Sequence, residues 1–176
     1  MASTDRRAWV RELLDRWEGK LVRYAARITG DVETAKDVVQ DTFLRLVAQP
    51  REKVLGHEAE WLFAVCRNRA LDVQKKEGRM TELSEVELAT RQSQEPPPGR
   101  AAEVSDQHAR VLKLVGTLPH KQREVVRLKF QDGLSYREIA KVTQLTETNV
   151  GFLLHTAIKQ LRNQLGAGTT GLAAQA

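Results

Sequence analysis

Residues 134–162 read LSYREIAKVTQLTETNVGFLLHTAIKQLR, and this stretch decides the fold of the second half of the chain. Ser135 precedes an apolar pattern, and Glu138 lies three residues after Ser135. This is the spacing of a capping box at a helix N-terminus. Thr146 is a second N-cap candidate, with Glu147 in the first turn, where the helix dipole favours an acid. The stretch therefore predicts two helices separated by a tight turn.

Each of the two predicted helices has one apolar face. The first contributes Tyr136, Ile139, Ala140 and Val142, and the second contributes Val150, Leu154, Ala157 and Leu161 at helical spacing. The opposite face of the second helix carries Thr148, Phe152, His155 and Lys159. This is the sequence form of a helix-turn-helix, whose second helix fits a DNA major groove. The spacing alone fits an ordinary α-hairpin in a helical domain equally well.

The composition favours an all-α protein. The 176 residues are 41% hydrophobic and 5% aromatic, with room for one or two small domains. Cys66 is the only cysteine, so an intramolecular disulfide is excluded, and no cluster of Cys and His has metal-ligand spacing. We therefore expect no metal or cofactor. No apolar run reaches the length of a membrane span, so we expect a cytoplasmic protein without membrane insertion.

The net charge of +5 is unevenly distributed along the chain. Residues 1–80 carry 16 Lys and Arg against 13 Asp and Glu, residues 81–109 carry 2 against 6, and residues 110–176 carry 10 against 4. Two basic segments joined by an acidic one suit a polyanionic partner held at two places. Ordinary solvated surface is the alternative explanation of a charge of this size.

The first half of the chain predicts three amphipathic helices that share a core. The first helix is expected to begin after a cap at Thr4 or Asp5 and to run to about Ile28, before Gly30. The second is expected to begin after a cap at Asp31 and to end at Pro50, and the third to run from about Glu58 to Glu77. The expected apolar sets are Trp9, Leu13, Leu14, Trp17, Leu21, Tyr24, Ala25 and Ile28 in the first helix, and Val32, Ala35, Val38, Val39, Phe43, Leu46 and Val47 in the second.

The third predicted helix also carries a basic run with an amide inside it, namely Arg67, Asn68, Arg69, Lys75, Lys76 and Arg79. Lys and Arg can neutralise phosphates, and an Asn side chain can hydrogen-bond a base edge. Trp61 and Phe63 offer aromatic faces of the kind that bind single strands. The alternatives are a solvated helix end for the basic run and core packing for Trp61.

An acidic and proline-rich segment separates the two halves. Residues 81–103 include Pro96 to Pro98 followed by Gly99, which predicts a flexible linker with at most a short helical piece at Ser84 to Ala89. Beyond it we expect a second domain at 104–165, with helices over Asp106 to Val115 and His120 to Phe130 before the helix-turn-helix. The small, glycine-rich residues 166–176 predict a disordered tail.

Three segments together resemble the extracytoplasmic-function branch of the bacterial RNA polymerase sigma factors. AKDVVQDTFLRL at 35–46 is similar to the family's polymerase-binding segment, although Lys36 stands where an acid is usual. WLFAVCRNRALDVQKKEGR at 61–79 resembles the segment that melts and reads the −10 promoter element. LPHKQREVVRLKFQDGLSYREIAKVTQLTETNV at 118–150 resembles the −35-reading domain. The order of the segments, with a linker between them, is more specific than any one of them.

The resemblance implies a fold of two helical domains, a set of partners and a set of site residues. Residues 1–80 would bind core RNA polymerase and the −10 element, and residues 104–165 would bind the −35 element. The polymerase β′ clamp helices would meet Asp37, Val38, Gln40, Asp41, Phe43 and Leu44, although Phe43 is alternatively a core residue. The −10 contacts would be Arg67, Asn68, Arg69, Lys75, Lys76 and Arg79. The −35 contacts would be Thr146, Thr148, Asn149, Phe152, His155, Lys159 and Arg162. The β flap and a separate anti-sigma protein are further partners that the resemblance implies.

The predicted recognition helix departs from the family in one respect. The family is usually Arg-rich just after the position of Val150, whereas this chain has Gly151, Phe152 and Leu153, with basic residues only at Lys159 and Arg162. Fewer phosphate contacts lower DNA affinity and its salt dependence, while Phe152 can contact a thymine methyl or a protein partner. We therefore expect residues 104–176 alone to bind DNA weakly. Tight, sequence-specific binding of that fragment in fluorescence anisotropy would contradict this expectation.

Two other functions fit the sequence less well. A stand-alone helix-turn-helix regulator would bind a palindromic site without polymerase. It leaves unexplained why the surface of Asp37, Gln40, Asp41 and Phe43 occurs together with the basic run around Asn68. An enzyme is poorly supported, because the histidines at 57, 108, 120 and 155 are scattered and Cys66 fits a small buried hydrophobe. The sequence also contains no glycine-rich phosphate-binding loop. The expected function is promoter selection for core RNA polymerase, without catalysis by this chain.

Overall fold

The computed structural model describes residues 2–77 and 101–173, which fall into two compact units. Every regular element in these ranges is helical, as the composition predicts. The first unit contains α1 (Ala2–Thr29), α2 (Val32–Ala48), a 3₁₀ turn (Arg51–Lys53) and α3 (Glu58–Glu77). The second half of the chain contains α4 (Ala101–Gly116), α5 (His120–Phe130), α6 (Tyr136–Thr143) and α7 (Glu147–Ala173).

The predicted start of the first helix is wrong, because α1 begins at Ala2 and neither Thr4 nor Asp5 is its cap. The Asp5 carboxylate instead lies 2.6 Å from a terminal nitrogen of Arg51, in the connection between α2 and α3. The predicted end of α1 is confirmed. Gly30 has a φ of 75°, a conformation that glycine adopts without the steric cost of a Cβ, and its N–H donates to Ala26 O at 2.9 Å.

Asp31 is the predicted N-cap of α2, and this prediction is confirmed. Its carboxylate accepts from the Thr34 N–H at 2.7 Å and from the Thr34 hydroxyl at 2.8 Å, which satisfies one of the unpaired donors of the first turn. α2 ends at Ala48, two residues before Pro50. At that end the Arg6 guanidinium donates to the carbonyls of Val47 and Gln49.

The core of the first unit forms where α1 packs on α2 and α3. Phe63 lies at its centre with 0% of its surface exposed. Its ring centroid is 5.9 Å from that of Trp17 in an edge-on arrangement and 5.3 Å from that of Tyr24. The interpretation of Phe63 as an aromatic face for nucleic acid is therefore wrong. Trp61 is half-buried, so neither core packing nor an open aromatic face describes it fully.

Cys66 is buried against α1, as the sequence predicts. Its thiol donates to Leu21 O at 3.9 Å. Burial raises the pKa of the Cys66 thiol to about 12, and a hydrogen bond with Thr42 opposes that shift. Because the thiolate is the reactive form, burial and the raised pKa both protect this sulfur from alkylation.

We expect the native protein to resist iodoacetamide at about pH 8 and to be labelled at Cys66 only after denaturation. The same shift contributes a pH dependence of stability. The unfolded thiol loses its proton above its ordinary pKa of 9.0 while the folded thiol keeps it, so stability falls as the pH rises from there towards 12. Mass spectrometry of the labelled peptide measures the first effect. Labelling of the native protein as fast as that of the denatured protein would contradict both statements.

The second half of the chain differs from prediction at its two ends. α4 begins at Ala101, so residues 101–103 are helical rather than linker, and the expected start at Asp106 is wrong. α7 continues to Ala173, so the expected disordered tail is wrong for residues 166–173. Glycine lowers helix propensity by about 1 kcal/mol but does not remove a backbone hydrogen bond, so α7 can continue through it. The expected helical piece at 84–89 and residues 174–176 lie outside the described residues.

The helix-turn-helix has the predicted caps at both of its N-termini. The Ser135 N–H donates to Glu138 Oε2 at 2.7 Å, and the Glu138 N–H donates to Ser135 Oγ at 3.2 Å, which is the reciprocal pair of a capping box. The Asn149 N–H donates to Thr146 Oγ1 at 3.2 Å. Between the helices, Gln144 has a φ of 59°.

The turn between α6 and α7 is a Schellman-type ending. The Leu145 N–H donates to Ala140 O at 3.0 Å, which closes α6 behind the left-handed Gln144. The buried apolar residues of the two helices are Ile139, Ala140, Val142, Val150, Leu154 and Ala157. Tyr136 was expected in that set but is exposed, with its ring beneath Lys129 Nζ at 5.4 Å.

Candidate functional site

An apolar groove runs between α1 and α2 on the first unit. It encloses about 500 Å³, and its apolar lining comprises Val10, Leu14, Val22, Val39, Phe43, Leu44 and Val47. Two of these side chains project strongly into solvent, since Leu44 is 62% exposed and Val47 is 51% exposed. Val47 was expected in the core, but it lies in the last turn of α2, at the edge of the packed region. Exposed large aliphatic side chains beside a groove are typical of a protein-binding surface.

The polar residues that line this groove are Glu18 of α1 and Lys36 and Gln40 of α2, whereas Asp37 and Asp41 lie on α2 outside the lining. Asp37 and Gln40 are exposed, whereas Asp41 is half-buried. Positions 37, 40, 41 and 44 share one helix face because they are spaced by three and four residues. Val38 and Phe43 are buried, so of the six residues predicted for polymerase binding these two belong to the core, and Phe43 reaches the groove only as part of its floor.

A basic extension continues the groove towards the N-terminus of α1. A neighbouring cavity of about 760 Å³ shares Val10, Leu14 and Val47 with the groove and adds Arg6, Arg7 and Arg11. Sequence reasoning missed this surface. The available signal was Val10, an apolar residue of α1 that falls outside the stripe assigned to the core.

The residues predicted to contact the −10 element differ in their surroundings. Asn68, Lys75 and Lys76 are exposed, and Arg67 is half-buried. Arg69 is held in an ion pair, with its Nε 2.9 Å from Asp41 Oδ2 on α2. Arg79 lies outside the described residues. The helix therefore presents an amide and two ammonium groups to solvent and directs one guanidinium towards α2.

The predicted −35 residues all lie on the exposed surface of α7 and its cap. They are Thr146, Thr148, Asn149, Phe152, His155, Lys159 and Arg162. Phe152 is the most prominent, with 65% of its surface exposed. Beside it, Gly151 lies under the ring of Tyr136, where an added Cβ would be 3.7 Å from Cε2. The face is thus apolar at its centre and basic only near Lys159 and Arg162.

The described residues offer little chemistry beyond these surfaces. No group of three or more His, Cys, Asp or Glu that could hold a metal ion occurs within residues 2–77 and 101–173. Across the same residues, no helix combines the length and the apolar character needed to cross a membrane.

Two family models match the chain, one in each half. Sigma-70 region 2 matches residues 13–80, and Sigma-70, region 4 matches residues 108–161. The ECF RNA polymerase sigma factor SigL of Mycobacterium tuberculosis is 35% identical over 161 residues, which are 88% of each chain. SigD of the same species is 30% identical over 169 residues, covering 93% of this chain and 79% of that protein.

Two solved structures share the fold. CnrH, solved in complex with the cytosolic domain of CnrY, superposes with a TM-score of 0.57 at 26% identity and covers 94% of this chain and 92% of its own. The sigma factor RpoE of Bartonella quintana, solved with the anti-sigma factor NepR, gives a TM-score of 0.56 at 22% identity over 91% of this chain and 98% of its own. The two matched regions span more than half of the sequence, and with the likeness to SigL they show that this chain belongs to the sigma-70 family, as an RNA polymerase sigma factor of the ECF type.

Proposed function

We propose that residues 1–80 bind core RNA polymerase and the −10 promoter element, that residues 104–165 bind the −35 element, and that the intervening segment joins the two. The observation that carries this proposal is the α1–α2 groove, where the exposed Leu44 stands on the same face as Asp37 and Gln40. An apolar centre with an acid beside it fits a basic helical partner, such as the β′ clamp helices.

The division of labour within the docking surface follows from burial. Asp37, Gln40 and Leu44 would contact the polymerase directly. Phe43 would act from beneath as part of the groove floor, whereas Val38 is buried without lining the groove and would support α2 from the core. Asp41 would stand at the margin, with its carboxylate already engaged by Arg69.

The DNA contacts are proposed on α3 and α7. Lys75 and Lys76 would neutralise phosphates near the −10 element, and Asn68 would hydrogen-bond a base there. On α7, Thr148, Asn149 and Phe152 would face base edges in the major groove, with Phe152 against a thymine methyl. The proposed contacts with the −10 element also include Arg67, Arg69 and Arg79. The proposed contacts with the −35 element also include Thr146, His155, Lys159 and Arg162.

On this proposal the chain itself carries out no catalytic step. Nucleotide addition would be carried out by the polymerase. Because the proposed partner is cytoplasmic, we propose the same location for this protein. A separate anti-sigma protein is a further proposed partner, of the kind that NepR is for the sigma factor RpoE of Bartonella quintana. The β flap is the proposed polymerase contact of residues 104–165.

Assembly with core polymerase tests the proposal. We expect the wild-type chain to co-migrate with bacterial core RNA polymerase in size-exclusion chromatography and Asp37→Lys to weaken that assembly at least tenfold, because the substitution places a cation against a basic partner. Glu52→Lys is the matched control, since Glu52 is exposed in the 3₁₀ turn and is not on the α2 face that carries Asp37, Gln40 and Leu44. Asp37 is a better choice than Asp41, whose substitution also breaks an ion pair.

The same experiment separates the sigma factor from a stand-alone helix-turn-helix regulator. A wild-type chain that binds DNA by itself but does not assemble with core polymerase would support the regulator. Equal assembly of Asp37→Lys and wild type would contradict the proposed docking face. Run-off transcription from DNA selected by the holoenzyme then measures promoter dependence.

A further inference from the structure

Asp41 joins two helices that carry different proposed functions. Its Oδ2 lies 2.9 Å from Arg69 Nε on α3 and 3.6 Å from a terminal nitrogen of Arg45, one turn further along α2. The shorter distance is that of a charge-assisted hydrogen bond, whereas the longer one is a loose ion pair between neighbouring turns. The principal partner of Asp41 is therefore on the DNA-binding helix.

We propose that Asp41 is a positioning residue for DNA recognition, which holds the Arg69 guanidinium ready for a phosphate of the −10 region. This inference rests on the proposed function of α3. It assigns Asp41 a role different from that of Asp37, although both lie in the segment that resembles the polymerase-binding motif. Arg69 is the group that would touch DNA, and Asp41 acts through it.

The geometry supports a phosphate as the ligand of Arg69. A guanidinium carries five N–H donors in a rigid fork, and the ion pair engages Nε, so the terminal nitrogens can serve a second anion. The Arg69 side chain is 37% exposed, which gives a phosphate oxygen access to it. The neighbouring residue Asn68 is exposed as well.

The local charge balance also favours an anion. Asp41, Arg45 and Arg69 together carry one negative and two positive charges, so the cluster remains cationic while its carboxylate fixes one guanidinium. A long side chain that is already fixed loses less rotamer freedom on binding than a mobile one. Asp41 therefore lowers the entropic cost of the contact between Arg69 and a phosphate, while the net charge of the cluster stays positive.

The test uses complete holoenzyme and a promoter duplex that wild-type holoenzyme has selected from a random library. The measured quantity is the slope of log affinity against log salt concentration, because one lost phosphate contact lowers that slope by about 1. We expect Arg69→Gln to lower the slope by that amount, because it removes the cation that contacts the phosphate. Arg69→Gln, Asp41→Ala and the double variant should weaken DNA binding by the same factor, about two- to fivefold, because a carboxylate that acts only through Arg69 has no effect once Arg69 is replaced.

Two further variants separate positioning from general damage to the fold. Asp41→Glu keeps the carboxylate and should bind DNA with an affinity close to that of the wild type. Lys53→Gln removes an exposed cation from the 3₁₀ turn and should leave the slope unchanged. Variants are compared at saturating core polymerase, so that a docking defect does not enter the DNA measurement.

Three results would overturn the inference. They are an unchanged slope for Arg69→Gln, a wild-type DNA affinity for Asp41→Ala, and single-variant effects that multiply in the double variant. Failure of the proposed function has a different signature, because the wild-type chain would then form no holoenzyme or select no duplex.

Discussion

Replacing Phe63 with alanine is expected to lower the free energy of unfolding of the first unit by about 3–5 kcal/mol, the usual cost of truncating a buried phenylalanine. The ring is fully buried between Trp17 and Tyr24, so the substitution removes both aromatic contacts and leaves a cavity. Whole small domains are stable by only about 5–15 kcal/mol. The variant should therefore lose much of its folded population on mild heating.

Tryptophan fluorescence measures this effect selectively. All three tryptophans, Trp9, Trp17 and Trp61, lie in the first unit, so their emission follows that unit alone during thermal unfolding. We expect the midpoint of Phe63→Ala to fall by more than about 10 °C. Leu55→Ala is the control, because Leu55 is 53% exposed and its truncation should change stability by no more than about 0.5 kcal/mol. Equal midpoints for the two variants, with weaker single-strand binding by Phe63→Ala, would reinstate Phe63 as a nucleic-acid contact.

The second large effect is expected at the docking groove. Leu44→Arg should weaken binding to core RNA polymerase by at least about 30-fold, because loss of an interface hot spot costs about 2 kcal/mol or more. A guanidinium at the apolar centre of the groove would repel a basic partner and would disrupt the apolar contact. Stability should be unaffected, since the Leu44 side chain is 62% exposed in the free protein.

A titration of labelled variant into core polymerase, followed by fluorescence anisotropy, gives the dissociation constant. Leu55→Arg is the matched control, because it is the same substitution at a similarly exposed leucine that does not line the groove. If Leu44→Arg bound like wild type, the α1–α2 groove would not be the docking surface.

Local signals along the sequence predict much of this fold. The caps at Asp31, Ser135 and Thr146 are confirmed because each depends on side-chain and backbone groups within three residues. The assignment of these segments as helices, and the apolar face of α7, follow from a regular spacing of apolar residues. The start of α1 was missed because Asp5, a good cap by type, pairs instead with Arg51 far along the chain.

The features that sequence could not predict depend on contacts between helices. Phe63 was assigned to the wrong face because residues 61–66 read WLFAVC, and an unbroken apolar run has no period from which to choose a buried side. The Asp41–Arg69 pair depends on how α2 crosses α3, which is not encoded in either segment alone. The exposure of Val47, which was expected in the core, likewise depends on where the contact between α1 and α2 ends.

The N-terminal turn of α1 has a mechanical consequence for the first unit. Asp5 pairs with Arg51, whose guanidinium also lies 5.4 Å from the ring centroid of Trp9, while Arg6 donates to the carbonyls of Val47 and Gln49. The connection between α2 and α3 is thus clamped to α1 and cannot serve as a hinge unless these contacts break. Force applied to α2 by a bound partner is consequently transmitted to α3 by a stiff three-helix body rather than absorbed in the connection.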